Sequence, residues 1–157
     1  MTAAAGERRV VVCTGGGCLS SGAQAVRDAL EAAGDGLRVQ GSCCLGLCAR
    51  GPLVTSPDAA PAAGDAAAGG AVYTEVRPEH APAIVARARG VAAPAGAAEP
   101  EALAPDLPFF ARQTRVVLAD AGLVDPERLE DYVANGGYEA LARALHELTP
   151  QQTIDEI

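Results

Sequence analysis

Lysine is missing altogether: all twelve basic residues are arginine. That absence excludes a P-loop lysine, a Schiff-base lysine and any lysine general base from this chain. Tryptophan is also absent, and three Tyr and two Phe are the whole aromatic complement. Hydrophobic residues make up 49% of the 157 positions, but 35 positions are Ala, so the expected core is small. Long apolar runs are lacking as well. Val10-Val11-Val12 behind Arg8-Arg9 falls far short of a signal-peptide segment, and nothing approaches the ~18 apolar residues of a membrane span. A soluble, cytoplasmic chain with no membrane span is the expectation.

Charge is unevenly placed. Residues 1–90 balance eight acids with eight Arg, whereas residues 91–157 hold twelve acids and four Arg, which accounts for the net −8. An acidic tail behind a neutral domain argues against nucleic-acid partners, which need a basic stripe to release counterions. In a reducing compartment the five cysteines read as metal ligands or redox groups rather than a disulfide frame.

Residues 1–7 look like a loose start. Arg8 to Val12 is a β-branched run ending at Cys13, which reads as a buried strand. Gly15-Gly16-Gly17 turns the chain, and Ser21 with Gln24 resembles a capping box. The helix that follows puts Ala23, Val26, Leu30 and Ala33 on one face and ends at Gly34 or Gly36. Leu37–Gln40, Leu53–Thr55 and Ala71–Val76 read as strands, and Pro78 opens a helix through Ile84 and Val85 to Arg89. The order strand-helix-strand-loop-strand-strand-helix over 8–91 is that of a small α/β sandwich. Residues 58–70 and 92–105 are Ala/Gly/Pro-rich without period, and read as a flexible insert and a linker.

The segment 106–157 reads as an all-helical tail. Phe109-Phe110 precede an expected helix carrying Val116, Val117 and Leu118 and stopped by Gly122; Asp125-Pro126 open another, broken at Asn135-Gly136-Gly137. A third carries Leu141, Leu145 and Leu148. Thr149-Pro150-Gln151-Gln152 is a further capping box with only a few residues left to follow it, so the chain is expected to stop within an element.

The informative constellation is Cys13-x4-Cys18, then 25 residues, then Cys44-x3-Cys48. Each pair sits in a Gly-containing loop at the end of an expected strand, so one domain can bring both loops to one edge. Four convergent thiolates hold Zn²⁺ or an iron–sulfur cluster. Zinc knuckles favour shorter, repeated spacing, whereas wide, unequal loops suit two irons with two thiolates each. Glycine in such loops lets backbone N–H groups approach the sulfurs. On spacing alone Cys43 could replace Cys44. No C-x-x-C pair exists for thioredoxin-type exchange.

The segments Cys13-Thr14-Gly15-Gly16-Gly17-Cys18 and Cys44-Leu45-Gly46-Leu47-Cys48-Ala49-Arg50-Gly51-Pro52 resemble the thioredoxin-like 2Fe–2S ferredoxin family, which includes the small iron–sulfur subunit of respiratory NADH dehydrogenase. Tyr73 and Val76-Arg77-Pro78-Glu79 resemble the end of such domains. The resemblance implies a thioredoxin-like fold over 8–91 and cluster ligation by Cys13, Cys18, Cys44 and Cys48, with Cys43 a small packing residue. All-thiolate ligation implies a low potential, on the order of −400 mV.

Pro108-Phe109-Phe110, Gln113, Gly122, Asp125-Pro126, Asp131-Tyr132, Gly136-Gly137-Tyr138, Ala140-Leu141 and Thr149-Pro150 are similar to the N-terminal segment of the NADH-binding flavoprotein subunit, as fused in NAD-reducing hydrogenases and NAD-dependent formate dehydrogenases. This implies a one-electron carrier module whose partners are flavoprotein and other iron–sulfur subunits of an oxidoreductase complex. FMN and NADH sites are expected only in a missing or partner portion, and no complete catalytic site in this chain. The alternatives are a zinc-bound interaction module and a truncated remnant of a larger flavoprotein.

Other features take plainer readings. Gly15-Gly16-Gly17 fails the dinucleotide pattern because Ser20 stands where a third Gly is needed. His80 and His146 lack a clustered partner and read as surface residues. Phe109, Tyr132 and Tyr138 read as packing.

Overall fold

The run Arg9–Cys13 forms strand β1, and its Val10 and Val12 are fully buried. The structure, a computed structural model, describes residues 8–34, 36–61, 69–103 and 107–157. β1 lies parallel to β2 (Arg38–Ser42) and antiparallel to β3 (Val54–Pro61). β4 (Gly69–Thr74) and β5 (Glu101–Leu103) follow antiparallel, giving the sheet order β2-β1-β3-β4-β5. A parallel pair needs a crossover. Here it is α1 (Gly16–Ser20) and α2 (Ala23–Ala33). A 3₁₀ turn at Pro78–His80 then leads into α3 (Ala81–Ala88), with the proline in the first turn as expected. The expected order of strands and helices is the order the chain adopts, and the fold is mixed α/β with a helical C-terminal tail.

Register sets Val12, Val54 and Tyr73 side by side across β1, β3 and β4. Val26 and Leu30 of α2 and Ile84, Val85 and Ala88 of α3 join them in one buried cluster. The inward face of α2 is Ala23, Val26 and Leu30; Ala33, expected beside them, is exposed at the helix end. The expected capping box does not form. A helical turn, α1, occupies the residues just before, so the Ser21 hydroxyl closes it by donating to the Gly17 carbonyl (3.0 Å), and Gly22 at φ +97° starts α2 instead.

Within the stretch read as an insert, β3 continues to Pro61 and β4 begins at Gly69, paired with each other; residues 62–68 lie outside the described ones, as do residues 1–7. Within the stretch read as a linker, Glu101–Leu103 is a strand. Its three residues carry no β-branched side chain. What holds them is the open edge of β4 and the ion pair from Arg50 Nη2 to Glu101 Oε2 (2.6 Å). Residues 104–106 lie outside the described ones.

The tail contains α4 (Pro108–Ala111), α5 (Leu129–Ala134), α6 (Glu139–His146) and α7 (Pro150–Glu156). The helix expected through Val116–Leu118 is absent: these residues lie in bends and turns, with Val116 and Val117 81% and 94% exposed. Three consecutive apolar residues point ~100° apart on a helix and define no face to bury. α5 starts at Leu129 rather than Pro126, and Asp125 is shared between its own turn and β2. Its carboxylate accepts from the Glu127 N–H (3.0 Å) and from the Gly41 N–H of β2 (3.2 Å). The break at Asn135-Gly136 and the capping box between Thr149 and Gln152 form as expected.

β2 is an edge strand, and the tail covers it. Besides Asp125, the Gln40 side chain donates to the Leu123 carbonyl (3.1 Å), and the Gly122 N–H donates to the Ser42 hydroxyl (2.7 Å). Arg38 pairs with Asp131 (2.7 Å) and Arg27 with Glu127 (2.9 Å), while Ala121 is fully buried. The Gly41 N–H, which an edge strand would otherwise offer to another chain, is thereby taken.

Candidate metal centre

The cysteines gather where the two parallel strands end. Cys13 is the last residue of β1, in register with Ser42, the last residue of β2. Cys18 lies in α1, and Cys48 opens a 3₁₀ turn, Cys48–Arg50, after the loop that carries Cys43 and Cys44. Parallel pairing therefore brings both loops to one end of the sheet, as the spacing suggested.

The sulfurs form close pairs. Cys44 Sγ and Cys48 Sγ are 3.5 Å apart, and the Cys13 thiol lies close enough to Cys18 to raise it. Cys13 and Cys18 are almost fully buried, Cys44 is partly covered, and Cys48 is exposed. Burial, then the contact with Cys13, pushes the Cys18 thiol up to about 12, although the Leu53 N–H works in the opposite direction. Hydrogen bonding to Cys44 and the charge there raise Cys48. A thiol so raised is a poor thiolate on its own, and a bound cation supplies what deprotonates it. Among the described residues no three His, Cys, Asp or Glu side chains converge on one ion-sized point.

Glycine makes this packing possible. A Cβ on Gly51 would lie 2.9 Å from Cys18 Sγ, and one on Gly17 would lie 3.1 Å from the Cys48 Cβ. Gly15 meets Cys44 at 3.3 Å in the same way. The Gly46 N–H points at Cys44 Sγ (3.4 Å). Gly15 and Gly17 are thus the seat of the second cysteine loop, whereas a Cβ on Gly16 would meet nothing. The donor set fits a two-iron cluster: four sulfurs in two pairs, backbone N–H groups aimed at sulfur, and a cradle that any side chain would fill.

Cys43 adjoins this grouping, and its carbonyl accepts from the Cys13 thiol (3.8 Å). Its thiol is raised by burial first, and then by the charges of Cys13, Cys44 and Asp120. It lines a cavity of about 470 Å³ shared with Asp120, Val124 and Tyr132 of the tail. His80 accepts from the Arg77 N–H through Nδ1 (3.1 Å), and His146 is exposed on α6; neither lies among the cysteines.

Two residues near the loops were given no role by the sequence, although Arg50 lies within the segment that carries the resemblance. Arg50 pairs with Glu75 (3.2 Å) and Glu101, tying the Cys48 turn to β5. Arg115, 70 positions from Leu45 in the chain, donates to the Leu45 carbonyl through Nη2 (3.5 Å). Only the folded path of the tail places it there.

No protein-family model and no curated relative matches the chain. Two solved structures of a thioredoxin-like [2Fe-2S] ferredoxin from Aquifex aeolicus are similar to it. One is 21% identical with a TM-score of 0.39, covering 50% of this chain and 76% of the ferredoxin. The other, the wild type at 1.5 Å, is 22% identical with a TM-score of 0.43, covering 55% of this chain and 90% of the ferredoxin.

Proposed function

We propose that this chain is a one-electron carrier module with a thioredoxin-like domain, holding a 2Fe–2S cluster on Cys13, Cys18, Cys44 and Cys48. The carrying observation is the meeting of the two Gly-lined cysteine loops at the ends of β1 and β2, where glycines at 15, 17 and 51 leave room only for sulfur and backbone. When bound, the cluster supplies a one-electron site of low potential. The chain's own residues do the rest. Cys13 and Cys18 anchor the buried side, and the N–H groups of Leu53 and Gly46 offset negative charge on sulfur. Exposed Cys48 presents the side on which a donor or acceptor can approach. By the resemblance of the tail, the context is an NADH-dependent oxidoreductase in which a flavoprotein passes electrons to this module. Hydride chemistry belongs to that partner, since a nicotinamide donor needs a two-electron acceptor.

Anaerobic purification and reconstitution test the reading. The expected product is brown, with about two iron and two sulfide per chain and an electron paramagnetic resonance signal on reduction. Cys44→Ser is expected to destroy or grossly alter that signal, because a hard oxygen replaces a soft thiolate, and Cys43→Ser to leave it nearly unchanged. A colourless protein carrying one tightly bound zinc would point to the interaction-module reading instead.

A further inference from the structure

Two arginines flank the Cys44–Cys48 loop, and they differ in one respect. Arg50 is neutralised by Glu75 and Glu101. Arg115 has no carboxylate within ion-pair distance among the described residues. Its Nη2 makes a 3.5 Å contact with the carbonyl of Leu45, the residue between Cys44 and Gly46. Its Nη1 is buried without a partner. A buried guanidinium nitrogen left unsatisfied is costly, and the group it suits is an anion. The anionic chemistry at this place is the cysteine sulfur of the loop it touches.

We infer that Arg115 is a positioning residue of the candidate cluster: the tail delivers a positive charge, unpaired among the described residues, to the Cys44–Cys48 loop, where it holds the loop through Leu45 and favours the reduced state. The inference rests on the cluster reading. Reduction adds one negative charge inside the ring of four thiolates. A nearby cation stabilises that added charge more than the oxidised state, and so raises the potential, against the opposing Asp120 carboxylate that acts on neighbouring Cys43. At an effective dielectric of about 20, one charge within several ångströms is worth roughly a factor of ten or more in the reduction equilibrium. Because Arg115 belongs to the tail, docking of the tail on β2 and the potential of the centre are coupled.

The test compares full-length parent, Arg115→Lys and Arg115→Met chains, each reconstituted with iron and sulfide and titrated with redox dyes under electron paramagnetic resonance. Iron and sulfide content of the parent is read first. If the parent binds none, the cluster reading falls and this inference falls with it. With the parent loaded, Arg115→Met is expected to shift the equilibrium about tenfold towards the oxidised form, a drop of about 59 mV for one electron. Arg115→Lys is expected to stay within about twofold. Loss of the cluster in the Met variant alone, with the Lys variant loaded and unshifted, also supports a charge acting at the loop. Equal potentials in all three chains overturn the inference while leaving the cluster reading intact. So does loss of the cluster in both variants, which would make Arg115 a matter of shape alone.

Discussion

Residues 8–103 and 107–157 are ordered by different means. The first segment buries Leu30, Leu53, Ile84 and most of its valines between sheet and helices. The second leaves Leu129, Val133, Leu141, Leu145 and Ile154 more than half exposed, and its described residues place only Ala121, Gly122 and Asp125 in the buried class. Apolar burial stabilises the first; polar bonds to one edge strand position the second. A single lost hydrogen bond in a segment with little core of its own therefore has proportionally more effect on its placement than the same loss in the α/β unit.

The widest gap between the two is expected from truncating a leucine in each. Leu30→Ala, at a side chain with no exposure, should cost about 2–5 kcal/mol in chemical denaturation. Leu145→Ala, 72% exposed on α6, should change stability by less than about 0.5 kcal/mol. Similar losses at both positions would mean that α6 is covered by a partner under the conditions of measurement, and the comparison would have to be redrawn.

A smaller effect, confined to the join, is expected at Asp125. Asp125→Ala removes the acceptor for the Gly41 and Glu127 N–H groups, both at or near a buried site, and should cost about 1–3 kcal/mol. Hydrogen exchange locates it: the Gly41 amide should lose protection while those of Val10 and Val12 keep theirs. Unchanged protection at Gly41 would show that the tail is held by its other contacts.

The same contrast explains what was legible from the residues. Periodicity found α2, the β-branched runs found β1 and the cores of β3 and β4, and cysteine spacing in Gly-bearing loops found the sheet end at which the Cys13–Cys18 and Cys44–Cys48 loops lie. These features are local patterns that the fold repeats. The tail was read less well, because its placement depends on groups far apart in sequence. Asp125 has the chemistry of a helix cap, yet it serves Gly41, 84 positions away. Val116 and Val117 look like core residues and are exposed, whereas Ala121, one of many alanines, is buried. β5 needed an edge strand and Arg50 to define it. Ligand choice between Cys43 and Cys44 was open on spacing, because the two are adjacent in one loop; Cys43 lines the cavity on the tail side.

The smallest effect sharpens the comparison through pH. Burial alone would raise the Asp131 carboxyl, but hydrogen bonds from Arg38 and the Asp125 N–H, with the charges of Arg38 and Arg128, outweigh it and hold the group below its ordinary range. A depressed folded value means that the native state favours the ionised form. The contribution is therefore fully present above the unfolded carboxyl value near 4, and is lost as pH falls through the folded value. Because the pair is partly exposed, 25% at Arg38 and 16% at Asp131, the contribution should be no more than about 1 kcal/mol. Glu156 is shifted in the same direction by its hydrogen bond to Arg143, but that pair is half exposed on both sides and should leave no trace in stability. Limited proteolysis of the tail between pH 6 and 3 separates the two. In the parent chain, cleavage between residues 112 and 128 should accelerate at the acid end. Arg38→Gln should show faster cleavage already at pH 6 and a flatter profile, while Arg143→Gln should follow the parent throughout. An Arg38→Gln profile superimposable on that of the parent would remove this ion pair from the forces that seat the tail on β2.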